Sequence, residues 1–107
     1  MTVGRICTRE VHLASPDESV REAAWRMARE DVGSLVVLDA EGRPMGILTD
    51  RDIATRTVAG GHDPAKTSVE RTMTREPRTV REDTPIEVAV RMMREHGYRR
   101  LPVLDAK

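Results

Sequence analysis

Sliding the chain along itself by 66 residues aligns residues 3–41 with 69–107 without a gap. Val3/Val69, Arg5/Arg71, Thr8/Thr74, Arg9/Arg75, Glu10/Glu76, Asp17/Asp83, Ala23/Ala89, Met27/Met93, Leu35/Leu101, Val37/Val103, Leu38/Leu104, Asp39/Asp105 and Ala40/Ala106 are identical pairs. The period exceeds the roughly 20–50 residues of a solenoid unit and occurs only twice, so the expected product is a pseudo-symmetric pair burying a shared face. The 107 residues suffice for one compact domain built from two such halves. The second copy stops at Lys107, the counterpart of Glu41, and nothing matches Gly42–Lys66. The alignment therefore places the end inside a hairpin, and the natural protein is expected to continue through a glycine, another strand and another helix.

Within the first copy, Val11-His-Leu is a short strand candidate, and Ser15-Pro-Asp-Glu-Ser offers capping residues before a stripe at Val20, Ala23, Ala24 and Met27. Leu35-Val-Val-Leu and Pro44-Met-Gly-Ile-Leu-Thr49 read as a β-hairpin around Asp39-Ala-Glu-Gly42. Asp50–Ala59 reads as a second helix with Ile53, Ala54 and Val58 on one side, closed by Gly60-Gly61. The unit is β-α-β-β-α. Residues 1–66 form the first repeat with its linker, and 67–107 the second, incomplete at its C-terminal end. In that copy Pro77–Val80 repeats the first strand, Thr84–His96 the helix with Ile86, Ala89, Val90 and Met93, and Arg100–Leu104 the next strand. The fold class is α+β.

Composition narrows the function. Eighteen basic residues balance eighteen acidic ones, which argues against nucleic acid or an acidic membrane as a general partner. Sixteen of the eighteen basic residues are Arg, either a compositional bias or a stock of planar forks suited to phosphate. No apolar run approaches the roughly 20 residues that span a bilayer, the start lacks a signal-peptide stretch, and Cys7 stands alone, so a cytoplasmic location is expected. His12, His62 and His96 lack metal-binding spacing, and no G-x-S-x-G, P-loop or G-x-G-x-x-G occurs. Neither an enzyme nor a metal site is expected, and no cofactor.

The segment Gly46-Ile-Leu-Thr49-Asp-Arg-Asp52 lies where a strand ends and a helix starts. Gly46 permits close approach to the backbone. The Thr49 hydroxyl can cap amides or meet a phosphate, and the Asp52 carboxylate, three residues on, can accept ribose hydroxyls. The same spacing also describes an ordinary helix start, with Thr49 as cap and Asp52 as an acid favoured by the helix dipole. The heptad alone does not separate the two.

The duplicated unit, Ser19-Val-Arg-Glu-Ala-Ala-Trp-Arg-Met27, Leu35-Val-Val-Leu-Asp39-Ala-Glu-Gly42, Gly46-Ile-Leu-Thr-Asp-Arg-Asp52 and Tyr98-Arg-Arg-Leu-Pro-Val-Leu-Asp105 together resemble a CBS domain pair, or Bateman module. The resemblance implies two repeats packed as a pseudo-two-fold pair through small sheets, helices outside. It further implies a non-enzymatic regulatory module that binds AMP, ADP, ATP or another adenosyl compound in a cleft between the repeats. Carried over residue by residue, it assigns phosphate and ribose contacts to Thr49 and Asp52, phosphate contacts to Arg99 and Arg100, and a place beside the base to Thr79. Ile47 and Pro102 can sandwich an adenine ring, and guanidinium forks suit phosphate oxygens. The mirror-image site, left with Leu13, Gly33, Ser34 and Val36, is expected to be absent or incomplete. Removing Asp52 is expected to weaken the ligand and spare the fold.

Trp25 falls off the buried stripe of its helix, so a homodimer with Trp25 at or near the interface is expected, with occupancy passed to a downstream protein partner whose identity the sequence does not reveal. The alternative is a ligand-free dimerisation scaffold of the same fold.

Overall fold

The computed structural model describes residues 1–5, 11–75, 79–96 and 102–104. They form two compact units, one from the described parts of 11–76, the other from those of 1–10 and 77–107.

In the first unit, β1 (Leu13–Ala14), β2 (Ser34–Leu38), β3 (Pro44–Thr49) and β4 (Thr74–Arg75) form one sheet in chain order. β1 is parallel to β2, and the other neighbours are antiparallel. The β2–β3 hairpin turns on Asp39, whose carboxylate accepts from the Glu41 and Arg43 amides at 2.9 and 2.8 Å. Gly42 follows at φ 80°, a left-handed conformation that glycine adopts without penalty.

Alternation along these strands separates two faces. Leu35 pairs with Leu48 and Val37 with Gly46, all buried; Ser34 pairs with Thr49 and Val36 with Ile47, all half-buried on the other face. The buried face meets Ala23 and Met27 of α1 (Val20–Glu30), together with Ala14, Val69 and Met73, in a continuous core. Leu35 and Leu48 are wholly buried, a state worth about 1.5–3 kcal/mol for each side chain. α1 starts where expected: Ser19 Oγ accepts from the Glu22 amide at 3.1 Å, and Val20, Ala23 and Met27 face the core. Ahead of it, Arg26 grips Glu18 through two bonds of 2.8 and 3.1 Å and donates to the Leu13 carbonyl at 2.8 Å, tying β1 to the helix. Hydrogen bonding to Glu18 pushes the Arg26 guanidinium further above its ordinary value.

The second helix departs from its expected register. α2 (Asp50–Asp52) passes directly into a π-helical stretch, Ile53–Val58, in which the Ala59 amide reaches back five residues to Ala54. The wider turn rotates the face. Thr57, not Val58, is buried, Ala54 and Val58 are exposed, and Ile53 stays half-buried. The first strand also begins later than expected, with Val11 and His12 ahead of it.

The other unit holds a 3-10 turn (Val3–Arg5), β5 (Val80–Arg81), α4 (Ile86–His96) and β6 (Val103–Leu104). β5 and β6 are parallel, with Val80 opposite Val103, as Ala14 lies opposite Val37. The duplication is thus reproduced in register. Val3, Val80 and Ala89 are its buried cluster, with Met92 and Val103 against it, while Val90 is exposed rather than on the buried stripe. Pro77, Leu101 and Asp105 lie outside the described residues.

Each unit is completed by a segment from the other sequence copy. Val3 N–H donates to Thr84 O at 2.8 Å, and Val69 N–H to Glu18 O at 2.9 Å. Gly4 bonds Glu82 as Glu70 bonds Pro16, and Ile86 bonds Met1 as Val20 bonds Thr67. Bridges Thr2–Pro85 and Ser19–Ser68 repeat the pattern. All these pairs are related by the 66-residue shift, so α3 (Val69–Thr72) and β4, which belong to the second copy in sequence, pack with the first.

Candidate functional site

Thr49 ends β3, and its extended backbone, φ −113° and ψ 161°, makes it the N-cap of α2. Its Oγ1 accepts from the Asp52 amide at 3.0 Å while Asp52 Oδ2 accepts from the Thr49 amide at 3.1 Å, a complete capping box. The helix-start reading of this heptad is therefore realised. It leaves chemistry to spare. A hydroxyl that accepts one bond keeps its own proton to donate, and a carboxylate has a second oxygen. That oxygen, Oδ1, faces Arg56 Nη2 at 3.7 Å, beyond hydrogen-bond length, although Asp52 as a residue is buried.

Arg56 is the residue that the sequence reading missed. From the π-helical stretch its Nη1 donates to Thr72 O at 3.1 Å, Met73 O at 3.2 Å and Thr74 Oγ1 at 3.3 Å. The i, i+4 spacing of Asp52 and Arg56 was the available signal. Its contacts with residues 72–74 come from sequence-distant chain and had none. Beneath them, the buried hydroxyls of Thr57 and Thr72 bond each other at 3.0 Å.

Gly46 lies on the core face of β3, where a Cβ would run into the Met73 thioether. The missing side chain thus makes room for Met73. Ile47, half-buried on the opposite face, is paired with Val36 and Thr74. These four candidates, Gly46, Ile47, Thr49 and Asp52, share one strand-to-helix passage. Thr79 and Pro102 belong to the other unit, where both are half-buried and the Val80 amide bonds the Pro102 carbonyl at 3.0 Å, which brings the two to the start of the β5–β6 pair. Arg99 and Arg100 lie outside the described residues. Arg51 is exposed. Among the described residues no group of three or more His, Cys, Asp or Glu could hold a metal ion, and no helix is long and apolar enough to cross a membrane.

The described residues thus form a duplicated, mixed α+β unit with a Gly-x-x-Thr-x-x-Asp passage from strand to helix. The chain belongs to the CBS domain family, as a tandem pair whose family model matches residues 3–58 and 68–107. It is 34% identical over 105 residues to an uncharacterized protein, MK0525, of Methanopyrus kandleri, covering 98% of this chain and 54% of that protein. It is 39% identical over 98 residues to the CBS domain-containing protein YhcV of Bacillus subtilis, covering 92% of this chain and 69% of YhcV. The chain thus spans about half the length of the Methanopyrus relative. Among solved structures, an uncharacterized conserved protein from Pyrococcus horikoshii superposes with a TM-score of 0.90 at 32% identity, over 98% of this chain and 79% of that one. CBSX2, solved in complex with AMP, superposes with a TM-score of 0.78 at 30% identity, over 98% of this chain and 82% of its own.

Proposed function

We propose that this CBS pair senses an adenine nucleotide or related adenosyl compound, and that Thr49 and Asp52 contact its phosphate and ribose. The observation that supports the reading is the spare bonding capacity at the capping box: the Thr49 hydroxyl, which accepts there, keeps a proton to donate, and Asp52 Oδ1 meets Arg56 only at 3.7 Å. The solved AMP complex of CBSX2 supports the choice of ligand class. Arg99 and Arg100 are the proposed phosphate forks, and Ile47, Thr79 and Pro102 the residues against the base, with Gly46 supporting the strand that carries Ile47. The module works in the cytoplasm as a homodimer and passes occupancy to a partner protein; it needs no cofactor of its own.

Calorimetric titration with AMP, ADP, ATP and adenosine tests this. Asp52→Asn retains an acceptor for the Thr49 amide but loses the charge, and should weaken all four ligands by about tenfold or more, since each charge-assisted bond is worth about 1.5–3 kcal/mol. Arg100→Ala should weaken the phosphorylated ligands far more than adenosine. Failure of the wild-type protein to bind any of the four at millimolar concentration would leave the ligand-free scaffold as the function.

A further inference from the structure

Arg56 bridges the Asp52 carboxylate and the segment lent by the second sequence copy. One amino group, Nη1, is committed to three oxygens of residues 72–74, and the other, Nη2, faces Asp52 Oδ1. A guanidinium is planar, so anchoring one amino group fixes where the other lies. The two Asp52 oxygens are consequently held by different elements, Oδ2 by the β3 terminus through the Thr49 amide and Oδ1 beside a cation braced on α3 and β4. Nη1, held by the Thr72 and Met73 carbonyls, is not available to a ligand. At 3.7 Å, by contrast, the Asp52 contact is loose enough for Oδ1 to take a hydroxyl donor without losing its charged neighbour.

We infer that Arg56 is a positioning residue that presents Asp52 Oδ1 to a vicinal sugar diol, and so sets how strongly this module distinguishes a ribonucleotide from one lacking the 2′ and 3′ hydroxyls. The inference rests on the proposed adenosyl-binding reading and deepens it. It assigns a task to a side chain outside the Gly46–Asp52 heptad, and it makes diol recognition depend on the lent segment 69–75. A substitution that loosens that segment reaches the ligand through Arg56.

The test is the ratio of affinities for AMP and 2′,3′-dideoxy-AMP, measured by calorimetry for wild type, Arg56→Gln, Arg56→Lys, Asp52→Asn and the Asp52→Asn/Arg56→Gln double variant. Wild type should prefer AMP by about tenfold or more, the span of one charge-assisted bond. Arg56→Gln should reduce the preference to about threefold or less, and Arg56→Lys, which keeps the charge but not the fork, should restore part of it. In the Asp52→Asn background, Arg56→Gln should change the ratio no further, because it acts through Asp52. A merely structural brace would lower melting temperature and leave the ratio intact, and that result overturns the inference while the adenosyl reading stands. Equal wild-type affinity for the two nucleotides overturns it as well. If wild type binds neither nucleotide, the function reading and this inference fall together.

Discussion

The Met73 thioether fills the space above Gly46 in which any larger residue would place its Cβ. β3 thus carries Ile47 and Thr49 on one face and, at Gly46 on the other, accommodates a methionine from the lent segment. Gly46→Ala should destabilise the protein by about 1–3 kcal/mol through overpacking. Met73→Ala should cost about 2–5 kcal/mol through the void it leaves. Their combination should be milder than the sum, since the added methyl enters that void. Denaturant midpoints of the four proteins check this; strict additivity would mean that the two residues do not compete for the same space.

The bonded hydroxyls of Thr57 and Thr72 make a sharper case. Thr57→Val or Thr72→Val alone leaves a buried hydroxyl without its partner and should cost about 1–3 kcal/mol. The double valine variant should be more stable than at least one of the singles, because no polar group is then stranded. Equilibrium unfolding in urea reads the order directly.

Asp52 serves folding as well as any ligand. The expectation that its removal spares the fold is corrected by its capping bond and its burial. Thr49→Ala should lower stability by about 0.5–2 kcal/mol, the usual worth of an N-cap, and Asp52→Ala by a comparable amount. Thr49→Ser, which keeps the oxygen, should be close to wild type. Thermal unfolding followed by far-ultraviolet circular dichroism separates these variants without any ligand.

Trp25, 61% exposed, carries the Arg29 guanidinium 4.7 Å above its ring centre. Its loss should change the stability of the isolated protomer by no more than about 0.5 kcal/mol. If this helix face joins the proposed homodimer, Trp25→Ala should shift sedimentation toward the 12.0 kDa protomer. It is the only tryptophan, so its emission in the wild type should move to shorter wavelength as concentration rises. An unchanged mass and spectrum across the range would place the interface elsewhere.

Local pattern alone makes much of this architecture legible. The cap at Ser19, the stripe Val20, Ala23 and Met27, and the turn at Asp39–Gly42 each depend on neighbours a few residues away and are found where the spacing puts them, while Ala24, expected on the same stripe, is only half-buried. Thr49 and Asp52 were legible as a pair but not as one role, because the same two side chains cap a helix and retain groups for a ligand. Arg56, Met73 and the Thr57–Thr72 bond were not legible, since their partners arrive from chain 15 to 18 residues distant or, for Met73 against Gly46, from a segment of the other copy. The π-helical stretch misled the periodicity at Val58 because its turn is wider than the one assumed.

The exchange of segments between the copies also sets an order of events at the ribosome. Residues 11–76 form their unit from one unbroken stretch, whereas the other unit must join residues 1–5 to strands and a helix beyond residue 79. A nascent chain emerging at about 5–20 residues per second can thus close the unit of residues 11–76 first, while residues 1–5 wait unpaired for partners not yet made. Closing that second unit joins residues 1–5 to residues 80–104 and depends on long-range contacts, the slower kind to form. Residues 1–5 thus precede residues 11–76 in synthesis and follow them in folding.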